Sequence, residues 1–145
     1  MPNPPSPPHC ESQSAIATLD RLLFAGNGTG EYSQDWDLIV TDPNRLYEFC
    51  DLYERGDLDS DTKFALMLVI LVSLDDGGRD GEIAGDTGSV ARIEELLRAD
   101  FVLHFHTVRH WALLGESDLK ETFPITPMMQ RMWDDGFREE YRQWL

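Results

Sequence analysis

Cysteine is scarce in this chain, and no apolar run is long enough to cross a bilayer. The 145 residues include two cysteines, Cys10 in a proline-rich stretch and Cys50 on the apolar face of a predicted helix. They make a poor disulfide pair, so we expect free thiols in a reducing compartment. The longest apolar run, Phe64 to Val72, has nine residues, whereas a membrane-spanning helix needs about 20. The first residues lack the basic and apolar parts of a signal peptide, so we expect a soluble cytoplasmic protein.

Positive charge is scarce as well. Twelve Lys and Arg face 27 Asp and Glu, which leaves a net charge of −15. A chain of this charge repels the phosphates of nucleic acids and anionic membranes, so neither is an expected partner. Residues 31–61 hold ten acids and two bases, and residues 75–100 hold eight acids and three bases. These segments either keep the surface solvated or form a docking face for a basic protein, whose association the field would speed and orient.

The spacing of the apolar residues predicts an all-α fold. We expect a single compact domain over residues 13–145, with five to six helices around a central helix at 61–74 that is apolar all round. A helical-hairpin array is one arrangement that would suit such a succession of helices. Residues 1–12 contain five of the eight prolines, and this composition predicts a disordered leader.

Capping residues and glycines predict where the helices begin and end. The predicted starts are Ser12 or Ser14, Thr41-Asp42 before Pro43, Asp59 or Ser60, Ser89, and Thr126 before Pro127. Gly26, Gly56 and Gly115 are the predicted stops. Residues 89–114 are compatible with one helix or with two helices that break near Asp100. Residues 75–89 have five glycines and five acids and are interpreted as a flexible loop that forms part of a binding surface.

Three aspartates, Asp57, Asp59 and Asp61, have the alternating spacing with which a calcium-binding loop opens. Thr62 stands where such a loop needs glycine, and Leu68 stands where it needs glutamate. We therefore interpret these acids as capping and surface residues and not as metal ligands.

Three of the four histidines, His104, His106 and His110, lie in the stretch HFHTVRHW. On a helix His106 and His110 share a face, whereas His104 lies beside the apolar stripe. We expect His104 to pack with one nitrogen bonded to a neighbouring helix, and the other two to be exposed or paired with the abundant acids. A metal site at His106 and His110 is an alternative, although Thr107 replaces the glutamate of an HExxH motif.

The preferred hypothesis is a small acidic module that binds a basic protein, such as an immunity-type inhibitor of a basic toxin or enzyme. The alternatives are a metal-dependent hydrolase that uses the three histidines and a structural or scaffolding subunit. No cofactor is expected, and the oligomeric state stays open. Aromatic anchors among the acids would carry much of the binding energy. The predicted contacts are Tyr32, Asp35, Trp36, Asp37, Tyr53, Asp57, Asp59, Asp61, Asp75, Asp76 and Asp80.

Overall fold

The computed structural model describes residues 7–8, 12–23, 42–79, 87–113 and 125–145, and the regular structure in these ranges is entirely helical. The six α-helices are α1 (Gln13–Leu23), α2 (Leu46–Glu54), α3 (Ser60–Arg79), α4 (Thr87–Ala99), α5 (Phe105–Ala112) and α6 (Thr126–Gly136). Short 3-10 helices cover Pro43–Arg45 and Glu139–Trp144. The prediction of an all-α fold is therefore confirmed. In the described ranges no helix combines the length and the apolarity that crossing a membrane requires.

The central helix α3 is buried on nearly all sides. Every side chain from Phe64 to Asp75 is buried except that of Leu68, which is partly buried. The helix packs against both α1 and α2, and this surrounding explains why its sequence lacks a polar face. A single cluster of buried hydrophobic side chains draws members from all six α-helices.

Three predicted caps hold in the structure. Side-chain oxygens of Ser12, Asp42 and Asp59 accept hydrogen bonds of 3.2, 3.0 and 2.8 Å from backbone amides two or three residues later. Each bond satisfies an amide that the first turn leaves without a partner. Gly56 follows α2 with a φ of 82°, a left-handed conformation that glycine adopts without steric cost.

The predicted boundaries of the loop at 75–89 are both wrong. Helix α3 continues to Arg79, and α4 already begins at Thr87. The buried face of α3 extends through Asp75, and such tertiary packing outweighs a cost of about 1 kcal/mol for each glycine in a helix.

Thr126 does not cap α6, contrary to prediction. Its hydroxyl donates a hydrogen bond of 2.8 Å to the carbonyl oxygen of Trp111, and Ile125 occupies the capping position. The bond ties the start of α6 to the end of α5, and these two helices pack against each other.

Of the predicted stretch 89–114, the described residues 89–113 form two helices separated by a tight turn at 100–104. The backbone amide of His104 donates to the carbonyl oxygens of Asp100 and Phe101 at 3.2 and 3.1 Å. The apolar stripe crosses this break, since Leu97, Phe101 and Phe105 are all buried. Helix α4 contacts α2 and α6, and neither of these helices is its direct neighbour in the chain.

The last predicted helix ends at Gly136. A Cβ atom on Gly136 would lie 2.7 Å from the ring of Phe101, so the missing side chain lets this ring pack against the end of α6. The chain then forms the C-terminal 3-10 helix, which places Trp144 edge-on to Phe105 with ring centroids 5.4 Å apart. Of the predicted leader, the described part includes Pro7, which is buried, Pro8, which is partly buried, and Ser12.

Candidate functional site

Five exposed carboxylates follow one another where α2 ends and α3 begins. We call residues 51–61 the acidic segment; its acids are Asp51, Glu54, Asp57, Asp59 and Asp61, and all five are exposed. Arg55 is the only basic residue of the segment. The segment is formed because α2 stops at Glu54, Gly56 turns the chain, and Asp59 starts α3.

The three aspartates predicted as contacts lie together in this segment but have different surroundings. Asp57 pairs with Arg55 at 2.6 Å, and both side chains are more than half exposed, so water and salt weaken the pair. The hydroxyl and backbone amide of Thr62 donate hydrogen bonds to Asp59 and lower the pKa of its carboxyl. Asp61 lies in the first turn of α3, where the helix dipole favours negative charge.

Arg92 reaches from α4 to the acids of α2. Its guanidinium lies 2.6 Å from Oδ1 of Asp51 and 2.8 Å from Oε2 of Glu54. The hydrogen bonds to Glu54 and Asp51 raise the pKa of Arg92, and the same contact lowers the pKa of Glu54. The sequence analysis missed these contacts because 38 and 41 positions separate the partners.

Two of the remaining predicted contacts are buried, and the side chains of the others lie outside the part of the chain that the structure describes. Tyr53 and Asp75 have exposed fractions of 3% and 2%, so neither side chain has the exposed position expected of a partner contact. Tyr53 lies on the inner face of α2, and the continuation of α3 carries Asp75 into the interior. Tyr32, Asp35, Trp36, Asp37 and Asp80 lie outside the described residues, as does the side chain of Asp76.

Tyr53 connects two helices and a turn through a polar network that is buried at His104 and partly exposed at Asp100 and Lys63. Its hydroxyl donates to Oδ2 of Asp100 at 2.6 Å and lies 2.8 Å from Nε2 of His104. Because an ionised carboxylate only accepts, the tyrosine proton belongs to the bond with Asp100, and Nε2–H of His104 donates to the tyrosine oxygen. Lys63 of α3 lies 3.7 Å from the same carboxylate oxygen. Burial raises the pKa of Tyr53, and the bond to Asp100 adds to this effect.

His104 is a core residue. Its ring is fully buried and stacks on Phe64, with centroids 6.2 Å apart and an interplanar angle of 17°. Burial lowers its pKa from 6.5 to about 4, so the ring is neutral at physiological pH. The prediction that one nitrogen bonds to a neighbouring helix is confirmed by the contact with Tyr53. Its Nδ1 atom is buried and has no hydrogen-bond partner within the described part of the chain.

The other two histidines diverge from His104 and from each other. His106 is buried and lies edge-on to Phe105 at 5.1 Å, so the alternative in which it is exposed is wrong. His110 is exposed, as expected, and lies edge-on to Trp111. No three His, Cys, Asp or Glu side chains among the described residues are arranged to hold a metal ion.

Cys50 is the free thiol of the described part, and it faces the core as expected. Burial raises its pKa to about 11. A thiol with this pKa holds very little thiolate at neutral pH and is a poor nucleophile.

Comparisons with protein-family models, with curated proteins and with solved structures find no match to this chain. Fold alone does not indicate function. The acidic segment is therefore the feature on which a functional proposal has to rest.

Proposed function

We propose that this protein is a small acidic module that binds a basic partner protein through the acidic segment, residues 51–61. The observation that carries the proposal is the exposure of all five carboxylates within a segment of eleven residues. Within the described residues, the cations that meet these carboxylates are Arg55 and Arg92. The segment therefore keeps an excess of negative charge after its own ion pairs are formed.

The ion pairs of the described residues, taken together, support this proposal. Seven basic side chains of the described part each pair with one of the protein's own acids: Arg45, Arg55, Lys63, Arg92, Arg98, Arg131 and Arg142. Most of the scarce positive charge is thus neutralised locally, and the surplus carboxylates set the surface potential. Such a potential accelerates and orients the approach of a basic protein.

The exposed pairs also suit exchange with a partner. The pair between Arg55 and Asp57 spans 2.6 Å but is open to solvent on both sides, and pairs of this kind contribute at most about 1 kcal/mol. An arginine of a partner can replace Arg55 at little cost.

A narrower form of the proposal is that the partner is a toxic enzyme that this module inhibits.

The test uses charge reversal that spares the helix cap. The variant Asp57→Lys with Asp61→Lys reverses two acids of the segment and leaves Asp59 to cap α3. The matched control, Glu95→Lys with Glu140→Lys, changes the net charge equally at two exposed acids outside the segment. Capture on immobilised protein at about 0.1 M salt, where charges act over about 10 Å, is followed by identification of the bound protein.

We expect the parent protein and the control to capture a basic protein that the segment variant does not bind. Capture that survives in the segment variant, or that both variants lose equally, would contradict the proposal, because net charge alone would then explain binding. Thermal unfolding of both variants checks that the fold is retained. The narrower form predicts that the product of an adjacent reading frame is toxic and that only the parent and control proteins protect against it.

A further inference from the structure

A groove of about 490 Å³ lies between the α4–α5 turn and the C-terminal end of α6. Its volume falls in the range of about 300–1,000 Å³ that small-molecule sites occupy. Phe101 and Met132 are buried, Tyr141 is partly buried, and together they give the groove an apolar floor. Gly136 belongs to the lining and lets the ring of Phe101 lie against the end of α6. The groove shares no residue with the acidic segment.

Of the charged side chains that line the groove, one cation forms no ion pair within the described part of the chain. Arg98 pairs with Asp135 at 3.1 Å. Asp100 accepts the hydrogen bond from Tyr53 and lies near Lys63. Arg138 is exposed, and within the described part of the chain its guanidinium forms no ion pair. The two carboxylates of the groove are thus already engaged, whereas this guanidinium is available.

We propose that this groove binds a small organic carboxylate with an apolar body. The body would lie on Phe101, Met132 and Tyr141, and the carboxylate would pair with Arg138. A planar guanidinium binds a carboxylate through two parallel hydrogen bonds, a geometry that a lysine does not offer.

The net negative charge of the protein does not prevent this binding. At physiological salt, charges separated by more than about 8 Å are largely screened, so distant acids act weakly on a ligand in the groove. The two acids that line the groove, Asp100 and Asp135, have partners of their own. The contact with Arg138 is short-range and therefore decides which charge the ligand carries.

Three probes with the same phenylpropyl body separate the role of charge from that of apolar contact. The probes are 3-phenylpropionate, 3-phenylpropan-1-ol and 3-phenylpropylamine, titrated into the full chain at constant salt. Chemical shifts of Phe101, Gly136 and Tyr141 report where each probe binds. We expect the carboxylate to bind up to about fivefold more tightly than the alcohol, because an exposed ion pair contributes at most about 1 kcal/mol, and the amine to bind most weakly.

Two matched variants assign the preference to one side chain. Arg138→Gln is expected to bind the carboxylate and the alcohol equally. Arg142→Gln causes the same change in net charge four positions later, inside the C-terminal 3-10 helix that Arg138 precedes, but lies outside the groove lining, and it is expected to keep the preference. In the parent protein, the proposal is overturned if the alcohol or the amine binds as tightly as the carboxylate, or if no probe binds at millimolar concentration. It is also overturned if the chemical-shift changes lie outside the groove. In the variants, an equal loss of the preference from Arg138→Gln and Arg142→Gln would overturn it as well.

Discussion

Tyr53 and Glu54 are neighbours on α2, yet they belong to two polar networks with opposite surroundings. Tyr53 points inward to His104 and Asp100, whereas Glu54 points outward to Arg92. The hydrogen bonds have similar lengths, between 2.6 and 3.1 Å. Their expected contributions differ because water can replace a lost partner at the surface but cannot reach the interior. Burial, and not bond length, therefore ranks the two networks.

The largest expected effect is an acid-dependent loss of stability caused by His104. Its folded pKa of about 4 lies below its ordinary value of 6.5, so the unfolded chain binds a proton that the native protein excludes. The stability that the native protein has with a neutral His104 is fully present above pH 6.5 and is lost as the pH falls towards 4. We expect the free energy of unfolding to decrease by about 1.4 kcal/mol per pH unit over this window, or about 3 kcal/mol in total.

Denaturant titrations between pH 7 and pH 4.5 measure this slope, and His104→Gln provides the control. The glutamine amide can donate the same bond to Tyr53 but has no group that titrates. We expect the variant to lose most of the slope above pH 5, where few carboxylates titrate. An equal slope in both proteins would show that His104 is not the responsible group.

A smaller loss is expected from Tyr53→Phe. The substitution keeps the ring in its packed position but leaves the buried Nε2–H of His104 without its partner, whereas the partly exposed Asp100 keeps its contact with Lys63. An unsatisfied buried polar group costs about 1–3 kcal/mol, so we expect a loss of this size in denaturant unfolding. A neutral effect would mean that water reaches the site, and it would break the contrast between the two networks.

The smallest effect is expected from Arg92→Met, which keeps an apolar stem and removes the pairs with Asp51 and Glu54. Exposed ion pairs contribute about 0.2–1 kcal/mol, so unfolding free energy should fall by less than about 1 kcal/mol. Salt screens such pairs, so the difference from the parent protein should shrink as salt is raised. A loss as large as that of Tyr53→Phe, unaffected by salt, would contradict this ranking.

Features that depend on residues close together in the chain were predictable. The face of α2 that carries Phe49, Cys50 and Tyr53 follows from helical spacing and is buried. The cap at Asp59 and the left-handed Gly56 follow from local backbone chemistry. These predictions succeed because each depends on contacts within about one turn of helix.

Features that depend on distant partners were not predictable in the same way. Glycines between residues 75 and 89 indicated a loop, yet packing extends α3 to Arg79. Tyr53 carried the aromatic character expected of a binding anchor, but its hydroxyl has partners 47 and 51 positions away that hold it inside. The groove is likewise formed by residues from two segments about thirty positions apart.

The sequence by itself determined that this chain is helical and strongly acidic, because spacing and composition act locally or in sum. The tertiary structure decided which polar groups are buried and which remain exposed. It placed His104 in the core and the acidic segment at the surface, and it left Arg138 available beside an apolar groove. The physical reason is that desolvation depends on everything that surrounds a group, and most of those neighbours are distant in the chain.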